Sequence, residues 1–276
     1  MNTEEYCVDA DMDGFGDQTM CQSGDPNNPP PGTVPAANGY DCDDSDPDTF
    51  PGAAPNDDAT ACMTDADGDD YGDETPAAGV TPGTDCNDAE AAAWLCALLV
   101  TQDGTTNIAY DEQIIDSLQA MAFDVTVVAD TDAVAGDADG EDLVVISETA
   151  QSTDVAGTFH DTPIPVLCME GLIWDDMDMA PEALGSNIDL GTIVDDMSPL
   201  AGGQTGVVTV VEGQGSGTLF SDPNDNATDV LWFAGIPTQA IIFAFDAGAT
   251  MENDFAAPAR RMGMGYDHDR QGNNST

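Results

Sequence analysis

The chain has 276 residues, and its charge is extreme: 54 Asp and Glu stand against three Arg and no Lys, a formal net charge of -51. Nucleic acid and anionic membrane are excluded as partners, because both are held through positive charge. No run of about 18 apolar residues is present to form a membrane span.

Met1-Asn-Thr-Glu-Glu5 has neither the basic start nor the apolar run of an export signal, and reads as the start of a mature or trimmed chain. The segment Asp9-Ala-Asp11-Met-Asp13-Gly14-Phe15-Gly16-Asp17 follows, and it returns as Asp65-Ala-Asp67-Gly-Asp69-Asp70-Tyr71-Gly72-Asp73. Carboxylates at every second position with a turn near the sixth can aim their oxygens at one hard cation. In the first copy Asp9, Asp11 and Asp13 are candidate ligands, Gly14 makes the turn, Phe15 offers its carbonyl, and Asp17 binds directly or through water. In the second copy Asp65, Asp67, Asp69, Tyr71 and Asp73 take the same places. A solvated acidic loop is the plainer reading of one such segment, but two copies with a shared aromatic-Gly-Asp ending favour Ca²⁺.

Neither loop has the bidentate Glu that closes an EF-hand, since Met20 and Pro76 stand in its place. The missing oxygens are expected from a second half of each repeat. Gly39-Tyr40-Asp41-Cys42-Asp43-Asp44-Ser45-Asp46 supplies Asp41, Asp43, Asp44 and Asp46 to the first site. Gly83-Thr84-Asp85-Cys86-Asn87-Asp88-Ala89-Glu90 supplies Asp85, Asp88 and Glu90 to the second. Residues 6–55, from Tyr6 through the Asp loop and Asp41-Cys42-Asp43-Asp44 to Pro51-Gly52-Ala53, resemble the MopE-type metal-binding motif of secreted bacterial proteins. The Asp loops are also similar to thrombospondin type 3 repeats. Residues 62–90 read as a degraded second copy, with Asp70 at the turn position. Carboxylates without His or Met clusters suit Ca²⁺ far better than copper.

Residues 1–90 have few large apolar side chains, and such regions need disulfides or metal to stay folded. Six of the seven cysteines, Cys7, Cys21, Cys42, Cys62, Cys86 and Cys96, lie in or beside the repeats, as in an exported, oxidised module. Six cysteines allow 15 connectivities; Cys21–Cys42 is the pairing expected here, because it cinches the two halves of repeat 1. Thiolate zinc sites are the alternative, but no C-x-x-C spacing occurs. Pro29-Pro30-Pro31-Gly32 reads as a stiff, extended loop.

After the bridge Ala91-Ala-Ala-Trp94 the pattern changes to alternating strands and helices. Aliphatic runs predict strands at 97–101, 124–129, 143–147, 165–169, 207–211, 240–245 and 261–265. Ile114, Ile115, Leu118, Met121 and Ala122 keep helical spacing, with Asp111 and Glu112 in the first turn where the dipole favours them. Ser152 to Phe159 reads as a weaker helix. The order implies a mostly parallel sheet with helices on its faces, and antiparallel strands after residue 200. Asp142-Leu-Val-Val-Ile-Ser147, Pro165-Val-Leu-Cys-Met-Glu170, Asp175-Asp176-Met177 and Ala259-Arg260-Arg261 resemble a glutamine-amidotransferase-like, flavodoxin-like domain of secreted bacterial proteins. The resemblance implies an α/β sandwich ending in a further helix.

The expected domains are therefore repeat 1 over 1–60, repeat 2 and the bridge over 61–95, and an α/β domain over 96–276. No catalytic residues are assigned. Cys168 lacks the glycine-flanked elbow of an activated nucleophile and reads as a buried hydrophobe. His160 and His268 have no derivable pairing with it. Glu170 with Asp175 or Asp176 forms a carboxylate pair that so acidic a chain produces by chance. Gly202-Gly203 and Gly213-Gln-Gly215-Ser-Gly217 read as turns. Asn226-Ala-Thr228, Asn273 and Asn274 are candidate glycosylation sites.

Together these features predict an extracellular or cell-surface calcium-binding structural protein. It assembles with itself, as a homo-oligomer or helical fibre, and meets surface glycans. The alternative is a secreted hydrolase or carbohydrate-binding protein that uses the repeats as a calcium-stiffened spacer. Halophilic adaptation also accounts for the charge, but not for its concentration in two repeated loops.

Overall fold

Short strands, disulfides and carboxylate turns take the place of a large core in the first part of the chain. The computed structural model describes residues 3–104, 109–181, 183–186, 190–194, 197, 204–209, 218–233 and 239–265. Contacts divide the chain into two units, Met1–Cys96 with Gln119–Asp124, and Ala97–Leu118 with Val125–Thr276.

In the first unit, β1 (Glu4–Val8), β2 (Gly16–Asp17), β3 (Cys21–Gly24), β4 (Thr33–Pro35), β5 (Tyr40–Asp41) and β6 (Thr49–Pro51) precede the one-turn helix α1 (Pro55–Asp58) and β7 (Cys62–Thr64). Strand β1 pairs antiparallel with β3 and with β4, β2 pairs parallel with β5, and β6 pairs antiparallel with β7. The buried apolar residues are few and mostly small: Tyr6, Cys7, Ala53, Ala54, Met63 and Ala93. Three disulfides compensate, Cys7–Cys21, Cys42–Cys62 and Cys86–Cys96.

The expected Cys21–Cys42 pairing is thus wrong. The β1–β3 register sets Cys7 directly opposite Cys21, and the two are bonded. Cys42 is left to Cys62 at the start of β7, so the second bridge joins the two repeats instead of the two halves of one.

In the second unit β8 (Leu95–Thr101), α2 (Ala109–Gln119), β9 (Phe123–Ala129), β10 (Leu143–Ile146), α3 (Ser152–Val155) and β11 (Val166–Cys168) come first. Then follow β12 (Leu184–Ser186), β13 (Leu190–Ile193), β14 (Gly206–Thr209), β15 (Thr218–Phe220), β16 (Thr228–Phe233), β17 (Ala240–Phe245) and β18 (Arg261–Met264). Nine of these strands form one sheet in the order β14-β13-β16-β17-β18-β11-β10-β8-β9, and β12 pairs with β15 apart from it. The fold is mixed α/β.

Pairing is parallel from β18 through β11 and β10 to β8, and antiparallel from β18 through β17, β16 and β13 to β14. The sheet is therefore mixed and not mostly parallel. Antiparallel neighbours need no crossover helix, and among the described residues α2 is the single helix longer than one turn. The weak helix expected over Ser152–Phe159 stops at Val155, because Ala156 turns into the left-handed region at φ 38°. The last two residues of the strand expected at 207–211 lie outside the described residues, as do His268, Asn273, Asn274 and the two glycine turns.

Leu98, Val100, Val144, Ile146 and Val166 alternate along three parallel strands and bury against Phe159, Trp174, Phe243 and Phe245. The Trp174 and Phe243 rings meet edge to face at 5.0 Å. Each such large side chain contributes roughly 1.5–3 kcal/mol when fully buried. Asp111, in the first turn of α2, is fully buried and accepts hydrogen bonds from Ser147 Oγ at 2.6 Å and Thr149 Oγ1 at 3.1 Å. Its carboxylate thus ties the helix start to the end of β10.

Candidate metal centre

Each Asp loop is wound by its own carboxylates. Asp11 Oδ1 accepts from Asp13 N and Asp13 Oδ1 from Phe15 N at 2.8 Å; in the second copy Asp67 Oδ1 accepts from Asp69 N and Asp69 Oδ1 from Tyr71 N at 2.9 Å. These turns curl the chain so that Asp9, Asp11 and Asp13, and likewise Asp65, Asp67 and Asp69, bring one oxygen each within 4.8 Å of one another.

In each repeat the second half meets the loop through two of its carboxylates. Asp41 and Asp44 complete a triad with Asp11, and Asp85 and Asp88 complete one with Asp67, again within 4.8 Å. The joins are equivalent. Asp44 Oδ1 accepts from Ala10 N and Asp88 Oδ1 from Ala66 N, both at 2.8 Å. Asp17 pairs in parallel with Asp41 and Asp73 with Asp85. An aromatic stack flanks each cage, Phe15 on Phe50 at 5.4 Å and Tyr71 on Trp94 at 4.5 Å. The arms of the second cage approach so closely that a Cβ on Gly83 would collide with the Gly72 carbonyl.

The donor set is all oxygen. While one oxygen of each carboxylate is tied to the backbone, the Oδ2 atoms of Asp11, Asp13 and Asp41 in the first cage, and of Asp67 and Asp85 in the second, are buried with no hydrogen-bond partner. Asp85 is fully buried. Leaving a buried carboxylate oxygen unpaired is costly, and a cation is the natural partner. Opposite ligands on a Ca²⁺ ion lie roughly 4.6–5.2 Å apart, so the spacing within each triad is of the size that a bound cation spans.

Burial pushes Asp13, Asp85 and Asp88 up to about 6, and the negative charges of neighbouring aspartates push the same way. Asp41 and Asp67 are raised for the same reasons.

Seven of the candidates stand outside these triads: Phe15 and Tyr71, proposed through their carbonyls, and five acidic residues. Asp17 and Asp73 hold Thr19 and Thr75, Asp43 accepts from Ser45 Oγ, and Asp46 accepts from Thr49 Oγ1. Glu90 presents its backbone N–H to Asp67. One residue absent from the sequence reading borders the second cage: Asp57, whose Oδ2 accepts from Gly72 N at 2.9 Å and Thr84 N at 3.0 Å, and whose Oδ1 accepts from Thr84 Oγ1 at 2.7 Å. No periodicity marks it.

In the second unit Cys168 is buried and free, its Sγ donating to the Glu170 carbonyl at 3.3 Å. Burial pushes its thiol well above the usual range, the setting of an inert cysteine. His160 lies between Asp161 at 2.8 Å and Asp178 at 2.9 Å, with its ring 4.0 Å from that of Phe255. Asn226 is exposed, and its Nδ2 donates to the Thr250 carbonyl at 3.0 Å.

Comparison with protein-family models, with curated proteins and with solved structures gives no match. Among the described residues no helix is long and apolar enough to cross a membrane.

Proposed function

We propose that this chain is an extracellular calcium-binding structural protein. Its N-terminal repeats hold Ca²⁺, and its second unit is a non-catalytic α/β body built on a mixed sheet. One observation carries the reading: two cages, each built from two distant segments, bury carboxylate oxygens that have no partner. Three disulfides agree with export to an oxidising compartment. We further propose that copies assemble into a surface fibre or layer through the repeats. A charge of -51 keeps copies apart until divalent cations neutralise the contacts, and Met12, 85% exposed at the tip of the first loop, offers an apolar contact point. Head-to-tail contacts between unlike surfaces give open polymers when rotation does not close a ring.

Limited proteolysis and light scattering in calcium and in EDTA test both parts. Chelation is expected to expose residues 1–90 to protease while the second unit resists, because metal binding to a core-poor region is folding free energy. Asn at Asp9, Asp11 and Asp13 together is expected to abolish calcium-dependent scattering while the second unit still folds. Equal protease resistance with and without EDTA would refute calcium binding. Parent-like scattering by the triple variant would leave the repeats as spacers.

A further inference from the structure

We infer that Asp57 is the positioning residue of the second cation cage, so that the tail of repeat 1 clamps the two arms of repeat 2. The inference rests on the cation-binding reading above and names the side chain that one of the two sites depends on.

The two cages are braced differently. The first Asp loop, Asp9 to Asp17, lies inside the covalent ring closed by Cys7–Cys21. The corresponding positions around the second loop are Met63 and Ala77, so no such ring encloses it. Its arms, 65–73 and 84–88, meet instead beside the segment 54–57. Asn56 N donates to the Asp70 carbonyl at 2.9 Å, and the Ala54 methyl sits where a Cβ on Gly72 would reach it. The Asp57 carboxylate then takes one donor from the first arm, Gly72 N, and two from the second, Thr84 N and Thr84 Oγ1.

Those donors are placed to matter. Thr84 precedes Asp85, the fully buried ligand candidate whose Oδ2 has no partner, and Gly72 precedes Asp73, which pairs with Asp85. Hydrogen bonds to an ionised acceptor are roughly twice as strong as neutral ones. With three of them Asp57 fixes the crossing of the arms before a cation arrives, the task the disulfide performs in repeat 1. Asp57 belongs to neither triad, and its oxygens are turned to the backbone and Thr84. It acts through the ligands and does not join them.

Terbium titration of the full chain tests this. Trp94, stacked on Tyr71 beside the second cage, sensitises Tb³⁺ bound there under tryptophan-selective excitation, and a Trp94→Phe control identifies that part of the emission. Asp57→Ala is expected to raise the terbium concentration for half-saturation of this signal about tenfold or more, the scale of losing hydrogen bonds to a charged group. Asp57→Asn keeps an oxygen for the two backbone donors and is expected to stay within about threefold of the parent. Calcium uptake measured in an Asp67→Asn, Asp85→Asn background reads the first cage alone, and adding Asp57→Ala there is expected to leave it unchanged. A parent-like titration of Asp57→Ala overturns the inference, as does an equal loss at the first cage or a fall in Asp57→Asn as deep as in Asp57→Ala. Absence of Trp94-dependent emission together with absence of calcium uptake in the parent overturns the cation-binding reading itself.

Discussion

At Met12 the backbone is left-handed, with φ 74°, and the matching residue of the second loop is Gly68 at φ 80°. Two positions on the pattern reverses: Gly14 at φ 99° faces Asp70 at φ 75°. Each loop therefore needs two left-handed residues, and each spends glycine on only one of them. A side chain there costs roughly 1–2 kcal/mol against glycine's ease in this region, partly offset by glycine's freedom in the unfolded chain. Met12→Gly removes an exposed side chain and no packing, so it is expected to tighten calcium binding at the first cage severalfold, which calorimetry would read. A weaker site after the substitution would show that Met12 makes a contact the geometry does not reveal.

The cage carboxylates also fix a pH dependence. Asp13, Asp85 and Asp88 are raised to about 6, first by burial and then by neighbouring charge. Their folded values lie above the ordinary value of about 3.9, so the metal-free folded unit binds more protons than the unfolded chain between those limits. Without cation, stability is expected to rise as pH falls from about 6 towards 4. With cation the sign reverses, because each proton competes with a ligand, and calcium affinity is expected to fall steeply below about pH 6. Affinity that is flat from neutral pH to pH 5 would count against both cages.

Among the elements, the parallel strands were the most legible from sequence. Leu98 to Val100, Val144 to Ile146 and Val166 to Cys168 are short apolar runs, buried throughout except for the half-buried Leu167, so composition alone marks them. Strand β16 carries a similar run, Val230-Leu-Trp-Phe233, yet it escaped the reading along with β12, β13 and β15, whose short segments hold no sustained alternation. The acidic clusters were legible because alternate carboxylates recur in two copies, which a repeat makes visible. The disulfide partners were not, since they follow from which cysteines the strand register sets opposite each other. Asp57 was hidden for a related reason: a lone acceptor for backbone donors needs no pattern.

Arg261, on β18, shows how one residue can secure an element. It is fully buried, and its guanidinium donates to the carbonyls of Ile164 at 3.0 Å, Thr162 at 2.6 Å and His160 at 3.2 Å, tying down the connection that enters β11. Burial pushes its pKa down to about 10, still charged at neutral pH. Arg261→Met keeps much of the volume but strands those carbonyls, and is expected to destabilise the second unit by about 2–4 kcal/mol. A denaturant midpoint unchanged from the parent would contradict this.

For the whole molecule, the charge of -51 and the two cages make separable demands on the solvent. Sodium chloride at about 1 M shortens the Debye length to roughly 3 Å and relieves general repulsion, but it does not supply a divalent ion to a five-carboxylate cage. After chelation, the first unit is accordingly expected to stay protease-sensitive in molar salt and to recover in millimolar calcium. Recovery in salt alone would favour halophilic adaptation as the source of the acidity.

The disulfides run in sequence without interleaving, with separations of 14, 20 and 10 residues. Pulled from its two ends, the chain can pay out only the stretches between these closed loops. At about 3.5 Å per extended residue, roughly 150 Å of contour length stays locked until the bridges are reduced. The first Asp loop lies within that reserve, although its partner Asp41 lies on the loaded path between Cys21 and Cys42; the second loop lies on the loaded path between Cys62 and Cys86. Under load the two segments of either cage are drawn apart, but only the second Asp loop can itself be pulled out before the bridges are reduced.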